Sequence, residues 1–508
     1  MHSCMLLSDL ISASPLTALH PLTEATEAEI SDLTLDSRTV QEGSLFIALK
    51  GSASDGHDYI PQAIAAGAKA ILLQEYQEGI PAEVVVLKSP AVRQATSQLA
   101  AVFHGHPSDQ LAVLGVTGTN GKTTTAFLID SLMRAKFGRN GLIGTVYNDE
   151  GYGPVATTHT TPESIDLQAS LARMVRNGCL GVAIEISSHG IEQGRTADLS
   201  VNAAVFTNLT QDHLDYHGTM ENYYQAKKAL FTQLGEQSAE TNPTAIINVD
   251  DYYGVRLSEE LAKEYPKLRQ ITFGLGVNAD MQATDLRQTA NGTEFRVDFR
   301  NTSYLVKSPM IGLFNARNIL CALASVVAPK LMNMREAVAA IAKARQVPGR
   351  LERISGSNAQ HVFVDYAHTP DALANVCQTL KELADGRLIT VFGCGGDRDT
   401  SKRPLMAEAA SLNSNICIIT SDNPRTENPI TIIKEVEAGI VGGNSLSIVD
   451  RKKAIEHAID LARDGDIVLV AGKGHEDYQI FGTEKTPFDD RKICRDTITH
   501  KQKPPMES

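Results

Sequence analysis

The chain has 508 residues, of which 42% are hydrophobic and 21% are charged, and its formal net charge is −13. This composition is typical of a globular protein of about two to four domains, and the acidic balance argues against a nucleic-acid-binding surface. No stretch reaches the roughly 18 apolar residues of a membrane-spanning helix, and the N-terminus lacks a signal-peptide pattern. The seven cysteines are scattered without a CxxC pair, which indicates free thiols in a reducing cytoplasm and no zinc site.

The first block of the chain covers residues 1–108. Short apolar runs, "SLFIAL", "AKAILL" and "VVVL", alternate there with helical pieces such as "YIPQAIAAGA". This alternation predicts a small α/β domain. The polar segment "HGHPSDQ" comes next, and its composition is typical of a linker.

The second block covers residues 109–345. "LAVLGVTG" predicts a buried strand, and a turn rich in glycine and threonine separates it from the helical "KTTTAFLIDSLMRAK". The further apolar runs "LGVAIEIS", "NAAVFTNL" and "TAIINVD" predict a parallel sheet flanked by helices. The alternating "FRVDFRNTSYLVKSPM" predicts an antiparallel addition, and "GLFNARNILCALASVVA" has a helical period.

The third block covers residues 346–508. It contains "HVFVDYA", "RLITVFGCGG", "NICIITSD" and "DIVLVAGKG", and a helical stretch separates each from the next. Strands that alternate with helices predict a second doubly wound sheet. The predicted fold class is therefore α/β with three domains, in which a central parallel sheet is flanked by a small N-terminal α/β domain and a C-terminal Rossmann-like domain.

The segment "GVTGTNGKTTT" follows the first strand of the central block and opens a helix. Glycines let the backbone approach a phosphate, and a helix N-terminus offers free N–H groups and a positive potential. The spacing departs from a strict GxxxxGK[ST] because Val116 stands where a glycine is expected. We predict a P-loop that binds the phosphates of a nucleotide. Its residues are Gly118, Thr119, Asn120, Gly121, Lys122, Thr123 and Thr124.

Polar residues near the next strands are candidate metal ligands. Glu185 ends an apolar run, where a carboxylate is costly unless it is paired or bound to a metal, so we favour a Mg²⁺ ligand over a helix-capping acid. "TNLTQDHLDYHG" carries His213 and His217 among aspartates, a pattern that fits a metal site or an ordinary polar loop. In the helical "YYQAKKALF", Lys227 and Lys228 taken alone predict a solvated helix face.

Together these pieces resemble the Mur ligase family, ATP-dependent amide-forming enzymes that build the peptide stem of bacterial peptidoglycan. The motifs that carry the resemblance follow one another in order. They are "TGTNGKTTT", "EISSHG", "TNLTQDHLDYHG", "YYQAKKALF", "NVDD", "GLFNARN" and "VPGRLER". The first and third blocks extend the resemblance to nearly the whole chain.

Within the family, "LDSRTVQEGSLFIALKGSASDGHDYI" is similar to the branch that adds the third stem residue to UDP-N-acetylmuramoyl-L-alanyl-D-glutamate. The resemblance implies two sets of residues for this substrate. The uridine diphosphate would be held by Leu35, Ser37, Ser52, Ala53 and Ser54. The muramoyl-peptide would be held by Thr160, Thr161, Ser187, Gln193 and Arg195.

The resemblance also changes the interpretation of Lys227. In the family the lysine of "YxxAKxxLF" is carbamylated, and a carbamate is an anion that can approach Mg²⁺, a hard cation that prefers oxygen. The implied metal ligands are therefore Thr123, Glu185, His213 and the carbamate of Lys227. ATP and Mg²⁺ are the expected cosubstrate and cofactor.

The implied reaction activates the D-glutamyl γ-carboxylate as an acyl phosphate, which an amine then attacks. Lys122 and Mg²⁺ would neutralise the transferring phosphoryl group. His368 in "DYAHTPDAL" is a candidate to position or deprotonate the amine, and a structural loop histidine is the equal alternative. The other implied nucleotide-binding residues are Asn315 and Asn318 at the adenine, with Arg350 and Asp365 from the third domain.

The loops "GCGGDRDTSKRP", "SDNPRTENP" and "AGKGHEDYQ" are expected to bind the incoming amino acid. In the implied branch "DNPR" accompanies meso-2,6-diaminopimelate, because the guanidinium of Arg425 suits its distal carboxylate, which lysine lacks. Glu476 would pair with the distal ammonium. The role of Glu427 stays open, and bracing of the loop is one option. The implied binding residues are Arg398, Asp422, Asn423, Pro424, Arg425, Gly472 and Glu476.

Three other functions stay open at this point. A ligase of the same branch that adds L-lysine is the first alternative. An enzyme similar to folylpolyglutamate synthase is the second, although such enzymes begin with the ATPase domain. A nucleotide-dependent binding or motor protein is the third. The expected partners are small molecules, with no nucleic acid and no membrane insertion, and a monomer is expected.

Overall fold

The structure is a computed structural model that describes residues 4–12, 20–21, 27–51, 54–238, 242–276, 278–354 and 361–502. Contacts divide it into two compact units. Unit 1 consists of Met1–Gln282 with Leu320–Ala337, and unit 2 of Ala283–Ile319 with Val338–Ser508. No helix in the described ranges is long and apolar enough to cross a membrane.

The N-terminal part of unit 1 is built on a five-stranded sheet. Its elements are β1 (Met5–Leu6), α1 (Leu7–Ser12), β2 (His20–Pro21), β3 (Glu29–Ile30), β4 (Asp32–Thr34), β5 (Ser44–Ile47), α2 (Ile60–Ala65), β6 (Ala70–Leu73), β7 (Val85–Lys88) and α3 (Val92–Phe103). The strand order is β2-β7-β6-β5-β4, and β4 to β7 are parallel. The three apolar runs are β5, β6 and β7, so the predicted small α/β domain is confirmed. Short 3₁₀ helices lie at Gly56–Tyr59 and Pro107–Gln110, the second inside the predicted linker.

The central sheet supplies most of unit 1. Its elements are β8 (Ala112–Thr117), α4 (Lys122–Phe137), β9 (Gly141–Ile143), β10 (Asn148–Asp149), β11 (Pro154–Val155), α5 (Ser164–Arg176), β12 (Gly181–Glu185), α6 (Ser188–Glu192), β13 (Ala203–Phe206), α7 (Leu214–His217), α8 (Met220–Gln237), β14 (Thr244–Asn248), α9 (Tyr252–Glu264) and β15 (Arg269–Gly274). The order is β11-β10-β9-β12-β8-β13-β14-β15. The six neighbouring strands β9, β12, β8, β13, β14 and β15 are parallel. The predicted parallel sheet is confirmed.

Strand β8 lies between β12 and β13, with both of which it pairs in parallel. The chain leaves β8 for β9 on one side and later returns to β13 on the other. The loop after β8 is therefore at a point where the strand order reverses. In open α/β sheets this is where ligands bind, at the carboxyl ends of the strands.

Three elements carry the chain between the units: β16 (Met281–Thr289), α10 (Leu313–Val327) and α11 (Met334–Ile341). Unit 2 also contains β17 (Gly292–Phe299) and β18 (Thr302–Ser308), which pair antiparallel as predicted. Hydrophobic side chains of β17, such as Phe295 and Val297, are fully buried.

The rest of unit 2 is a six-stranded sheet with helices on both faces. Its elements are β19 (Glu352–Arg353), β20 (His361–Asp365), α12 (Pro370–Leu383), β21 (Leu388–Phe392), α13 (Lys402–Asn413), β22 (Ile416–Ile419), α14 (Pro429–Glu437), β23 (Ser445–Ser447), α15 (Arg451–Leu461), β24 (Ile467–Ala471), β25 (Tyr478–Phe481), β26 (Glu484–Pro487) and α16 (Asp490–Gln502). The order is β19-β20-β24-β21-β22-β23, parallel except for β19. The four predicted strands are confirmed, and the structure adds one strand at each edge.

Helix starts in unit 2 follow local capping rules. Thr369 accepts a hydrogen bond from the N–H of Ala372, and Pro370 occupies the first turn. Asn428 caps the N–H of Ile430 in the same way, with Pro429 at the first position. Proline fits here because the first N–H groups of a helix have no partner within the helix. The second proline of "SDNPRTENP" therefore starts α14.

An ion pair between Arg451 and Asp490 joins α15 to α16 inside unit 2. Both side chains are fully buried, and the guanidinium donates to the two carboxylate oxygens at 2.9 and 2.7 Å. Removing one partner leaves the other charge buried and unpaired. Asp490→Ala is therefore expected to lower the free energy of unfolding by about 3–5 kcal/mol, as measured by urea denaturation.

The matched control for Asp490→Ala is Glu456→Ala. Glu456 pairs with Lys452 at 3.8 Å on α15, the helix that carries Arg451. An exposed pair of this kind contributes about 0–1 kcal/mol. Equal losses for the two variants would contradict a structural role of the buried pair.

Candidate active site

The loop between β8 and α4 has the geometry of a phosphate-binding loop. Gly118 and Gly121 have φ angles of 143° and 88°, which favour glycine. A Cβ added at Gly118 would lie 1.9 Å from Oγ1 of Thr207, so only glycine fits there. Helix α4 begins at Lys122, and its first N–H groups face the loop, as an anion site requires.

The segment after β13 holds this loop in place. The N–H of Thr119 donates to the Asn208 carbonyl at 2.9 Å, and the N–H of Asn120 donates to Oδ1 of Asn208 at 3.0 Å. Thr207 donates through Oγ1 to the Asn120 carbonyl at 2.6 Å. Neither Thr207 nor Asn208 was predicted as a site residue, although both lie in the quoted motif "TNLTQDHLDYHG". Their role is to fix the shape of the P-loop.

Lys122 and Thr123 point to different partners at the start of α4. The Nζ of Lys122 donates to the carbonyls of Gly118 and Thr119 at 3.0 and 2.8 Å. Oγ1 of Thr123 donates to Oε2 of Glu185 at 2.8 Å. The sheet thus brings together a hydroxyl and a carboxylate from positions far apart in sequence.

Glu185 ends β12 and is completely buried. Its Oε1 accepts the N–H of Thr145 at 2.9 Å, and its Oε2 accepts Oγ1 of Thr145 at 3.1 Å. Thr145 was not predicted as a site residue. It follows the short strand β9, and a polar residue just after a strand of a parallel sheet is a signal for a site. The carboxylate and the two hydroxyls are hard oxygen donors, which suits Mg²⁺. In the described part of the chain, no group of three or more His, Cys, Asp or Glu is placed to hold a metal.

Lys227 lies on the buried face of α8, with only 1% of its surface exposed. Its Nζ donates to the Gly118 carbonyl at 2.9 Å and lies 4.6 Å from the centre of the Tyr223 ring. Burial, together with the nearby charge of Lys122, holds the pKa of Lys227 well below its usual range. The solvated-face interpretation is excluded. A neutral amine is the form that reacts with carbon dioxide, so this environment suits carbamylation.

Histidines cluster beside the P-loop. His213 has a left-handed backbone, and its ring lies 5.1 Å from that of His189. His217 is buried, and its ring stacks on Tyr223 at 4.9 Å. The hydroxyl of Tyr223 lies 3.3 Å from Oγ1 of Thr119 in the P-loop. The ring of the predicted His213 lies 6.3 Å from that of Tyr223, the residue that contacts the loop, while His217 has a packing role.

The residues expected to hold the muramoyl-peptide form one hydrogen-bonded network in unit 1. Thr161 donates to the Glu185 carbonyl at 2.9 Å and contacts Oγ of Ser187 at 3.2 Å. The guanidinium of Arg195 donates to the Thr161 carbonyl at 2.7 Å and to the Gln193 side chain at 2.6 Å. Thr160 completes the network through a 3.0 Å contact with Thr145.

The uridine-binding prediction lies partly outside the described residues, because Ser52 and Ala53 are not among them. Ser37 is buried and donates to the side chain of Gln62 at 3.1 Å. Ser54 accepts the N–H of Gly51 at 2.9 Å, and Leu35 packs on the core of the five-stranded sheet. These roles remain predictions.

Four predicted nucleotide residues belong to unit 2. Asn315 and Asn318 are joined by a 3.0 Å side-chain hydrogen bond in α10. Both oxygens of Asp365 accept backbone N–H groups, from Leu351 at 2.6 Å and Ala367 at 2.7 Å, and burial raises the pKa of this carboxyl. The guanidinium of Arg350 lies 4.5 Å from the centre of the Tyr366 ring.

His368 lies at the C-terminal end of β20. Its Nδ1 is 2.9 Å from the Tyr366 carbonyl, and the two rings are 4.6 Å apart. Lys402 donates to the His368 carbonyl at 3.1 Å. The ring is therefore oriented by its neighbours, and its role with the amine remains a prediction.

Arg425 has a backbone held by the hairpin of β25 and β26. Its φ is 53°, its N–H donates to the Ile480 carbonyl at 3.0 Å, and its carbonyl accepts from Gly482 at 2.7 Å. One guanidinium nitrogen donates to the Gly396 carbonyl at 2.7 Å. The loop is thus fixed in shape before any ligand arrives.

Asp422, Asn423 and Glu476 lie together, and all three contact Lys473, which sequence reasoning missed. The Nζ of Lys473 is 3.0 Å from Oδ1 of Asn423, 3.3 Å from Oε2 of Glu476 and 3.4 Å from Oδ1 of Asp422. Its side chain is fully buried. Gly472 lies beside them with φ 115°.

The loops around these residues are braced by Arg403, another residue that was not predicted. Its fully buried guanidinium pairs with Glu427 at 2.8 Å, and Glu427 also accepts the N–H of Asp397 at 2.5 Å. Through these contacts Glu427 joins the loop that carries Arg425 to the loop that carries Asp397. A Cβ added at Gly396 would lie 1.9 Å from the Pro424 carbonyl, so the two loops pack closely. Arg398 is exposed.

Comparison with known proteins identifies the class of this fold and site. The description "Mur ligase middle domain" matches residues 116–326, "Mur ligase, glutamate ligase domain" matches residues 349–474, and "Mur ligase family, catalytic domain" matches residues 29–111. The chain belongs to the Mur ligase family. The α/β fold class is confirmed, and the exact domain boundaries remain a prediction.

Several relatives are similar over nearly their whole length. A protein of Geobacillus kaustophilus named UDP-N-acetylmuramoyl-L-alanyl-D-glutamate--2,6-diaminopimelate ligase is 43% identical over 92% of this chain and 95% of its own. A protein of Geobacter sulfurreducens with the same name is 44% identical over 91% and 93% of the two chains. A solved structure of a ligase of that name is 33% identical, with a TM-score of 0.73 over 99% of this chain and 100% of that one.

Proposed function

We propose that this enzyme uses ATP to join meso-2,6-diaminopimelate to UDP-N-acetylmuramoyl-L-alanyl-D-glutamate, forming an amide bond. It thereby makes a precursor of bacterial peptidoglycan. The similarity to ligases of this name over more than 90% of the chain supports the reaction. Both nucleotide substrates are intracellular metabolites, so we place the reaction in the cytoplasm, and we propose a monomer.

The observation that carries the ligase chemistry is the meeting of two lysines at one carbonyl. Lys122 and Lys227 donate to the Gly118 oxygen at 3.0 and 2.9 Å. One is the P-loop lysine, and the other is held where its amine loses its proton readily. A motor or switch protein needs only the first. The second, Lys227, stands at the position that is carbamylated in the Mur ligase family.

The first half of the reaction is phosphoryl transfer to the D-glutamyl γ-carboxylate. A carboxylate oxygen attacks the γ-phosphorus of ATP, the bond to the β-phosphate oxygen breaks, and ADP leaves. The backbone N–H groups of the P-loop and the ammonium of Lys122 hold the phosphoryl oxygens. Thr123, Glu185, His213 and the carbamate of Lys227 would hold Mg²⁺, whose positive charge would add to that of Lys122.

The second half is attack of the amine on the acyl phosphate. The amine forms a bond to the acyl carbon, a tetrahedral intermediate collapses, and inorganic phosphate leaves with the bonding electron pair. His368 receives the amine proton in this proposal. Water must be excluded, because it would hydrolyse the acyl phosphate.

The proposed preference for diaminopimelate over lysine rests on the distal end of the amino acid. Diaminopimelate carries a carboxylate and an ammonium there, and the loops offer the Arg425 guanidinium and the carboxylates of Asp422 and Glu476. Lysine would offer no acceptor to the guanidinium N–H groups of Arg425 that are not bonded to the Gly396 carbonyl, at a cost of about 1–3 kcal/mol.

The test is a substrate panel on the purified enzyme with ATP and UDP-N-acetylmuramoyl-L-alanyl-D-glutamate. Phosphate release and tripeptide formation are measured with meso-diaminopimelate, L-lysine or L-ornithine. We expect both signals to depend on the amine and to be at least about tenfold stronger with diaminopimelate. In Arg425→Ala the preference is expected to fall, whereas the exposed Arg463→Ala retains it. A preference of the wild type for lysine would contradict the assignment of Arg425, and phosphate release without any amine would contradict the ligase.

A further inference from the structure

Lys473 is fully buried among the side chains expected to bind the distal end of the amino acid. It is an ion-pair partner of both carboxylates, Asp422 at 3.4 Å and Glu476 at 3.3 Å. Its position inside the cluster is thus that of a fixed internal cation. A loop lysine at the surface would instead extend into water.

The same lysine fixes the orientation of its neighbours. Its third contact is Oδ1 of Asn423 at 3.0 Å, which also accepts the N–H of Ile480 at 3.1 Å. The amide nitrogen of Asn423 donates to Oε2 of Glu476 at 3.0 Å. Lys473 therefore ties the "DNPR" loop to the loop that carries Glu476.

Only one oxygen of each carboxylate contacts Lys473. Oδ1 of Asp422 and Oε2 of Glu476 contact Lys473. Within the described ranges, Oδ2 of Asp422 and Oε1 of Glu476 make no hydrogen bond. A Cβ added at Gly472 would lie 3.0 Å from that Oδ2, so glycine keeps the space beside it open. The cluster can still accept hydrogen bonds from a ligand ammonium.

We propose that Lys473 is a specificity-determining positioning residue that makes the lining of the distal pocket electrically neutral, so that it accepts a zwitterionic side chain over a cationic one. This inference rests on the proposed function. Asp422 and Glu476 contribute two negative charges, and Lys473 and Arg425 contribute two positive charges. Arg398 is exposed and, within the described ranges, forms no ion pair with these side chains, so its charge is not part of this balance. The distal end of diaminopimelate has no net charge and matches this lining, whereas that of lysine adds one uncompensated positive charge.

Removing the charge of Lys473 leaves the lining with one net negative charge. Specificity is a difference between two affinities, so a charge placed against the wrong substrate is as effective as a contact with the right one. Without Lys473, a cationic side chain becomes the better electrostatic match. The selectivity is then expected to move toward lysine even though Arg425 is still present.

The experiment compares kcat/KM for meso-diaminopimelate and for L-lysine in the wild type, Lys473→Met, Lys473→Gln and Lys473→Arg. We expect the ratio to fall by at least about tenfold in the Met and Gln variants and to stay within about threefold of the wild type in the Arg variant. The KM values for ATP and the UDP-linked substrate are expected to stay unchanged. Lys485→Met is the control, because Lys485 is exposed and lies 3.6 Å from the centre of the Tyr478 ring, outside the carboxylate cluster.

A purely structural role would lower both kcat/KM values together and leave their ratio unchanged, which would overturn the proposal. The proposal would also be overturned if the ratio of the two kcat/KM values fell as far in Lys473→Arg as in Lys473→Met. If Lys473→Met does not fold, Lys473→Gln decides, because its amide can still hydrogen-bond to the carboxylates. Failure of the proposed function is a different result, since the wild type itself would then form no amide with either amine or would prefer L-lysine.

Discussion

Lys122→Ala is expected to abolish ATP turnover, with a loss of at least about 100-fold in the rate of phosphate release. The reason is that Lys122 supplies the point charge of the P-loop, at the start of α4, where the phosphoryl group is proposed to pass. Its Nζ already lies within 3.0 Å of two loop carbonyls, which places it at the phosphate-binding loop. Phosphate release and ligation are measured in the same assay.

The matched control for Lys122→Ala is Lys136→Ala on the same helix. Lys136 is near the other end of α4 and pairs with Glu336 at 3.0 Å on the surface of unit 1. We expect full activity from this variant and unchanged thermal stability. Near-normal ligation by Lys122→Ala would refute the P-loop assignment.

Lys227→Ala is expected to be nearly inactive and to regain part of its activity when short carboxylic acids such as formate or acetate are added. In the proposed mechanism, the neutral amine of Lys227 adds to carbon dioxide, a carbon–nitrogen bond forms and a proton leaves. The product would carry a negative charge close to Lys122, so an attraction between the two side chains would replace the contact of a neutral amine. A small carboxylate that enters the space left in Lys227→Ala supplies the same charge.

The neighbouring Lys228 provides the control. It pairs with Glu260 at 2.9 Å and Glu264 at 2.7 Å, and these contacts raise its pKa against the effect of burial. Lys228→Ala is expected to stay active and to show no response to added carboxylates. Full activity of Lys227→Ala without any additive would remove the carbamate from the mechanism. Mass spectrometry of the intact wild type in bicarbonate gives an independent readout.

The strands and the P-loop could be predicted because their signals are local. Runs such as "LAVLGVTG" and "DIVLVAGKG" are short, apolar and bounded by glycine, and each became a buried parallel strand. The edge strands β19 and β23 were missed because both are short and only partly buried or exposed. Edge strands carry little of the hydrophobic pattern on which such predictions depend.

The contacts of the site could not be predicted from the same signals. Thr123 and Glu185 are 62 positions apart, and Lys473 and Asn423 are 50 apart. Which loops meet at a sheet edge depends on strand order, which periodicity does not report. Lys227 is the exception: Tyr223, Leu230, Phe231 and Leu234 recur with it at helical spacing. That pattern placed the lysine on the buried face, yet its charge favoured the opposite interpretation.

The left-handed backbone of Arg425 has an evolutionary consequence. At a φ of 53°, asparagine and glycine have less backbone strain than a residue with a long side chain such as arginine. Main-chain bonds to Ile480 and Gly482 hold the conformation whatever residue stands there. Arginine at this position is therefore accounted for by its guanidinium rather than by its backbone. If the guanidinium binds the distal carboxylate as proposed, a relative that adds an amine without that carboxylate is expected to carry asparagine or glycine here.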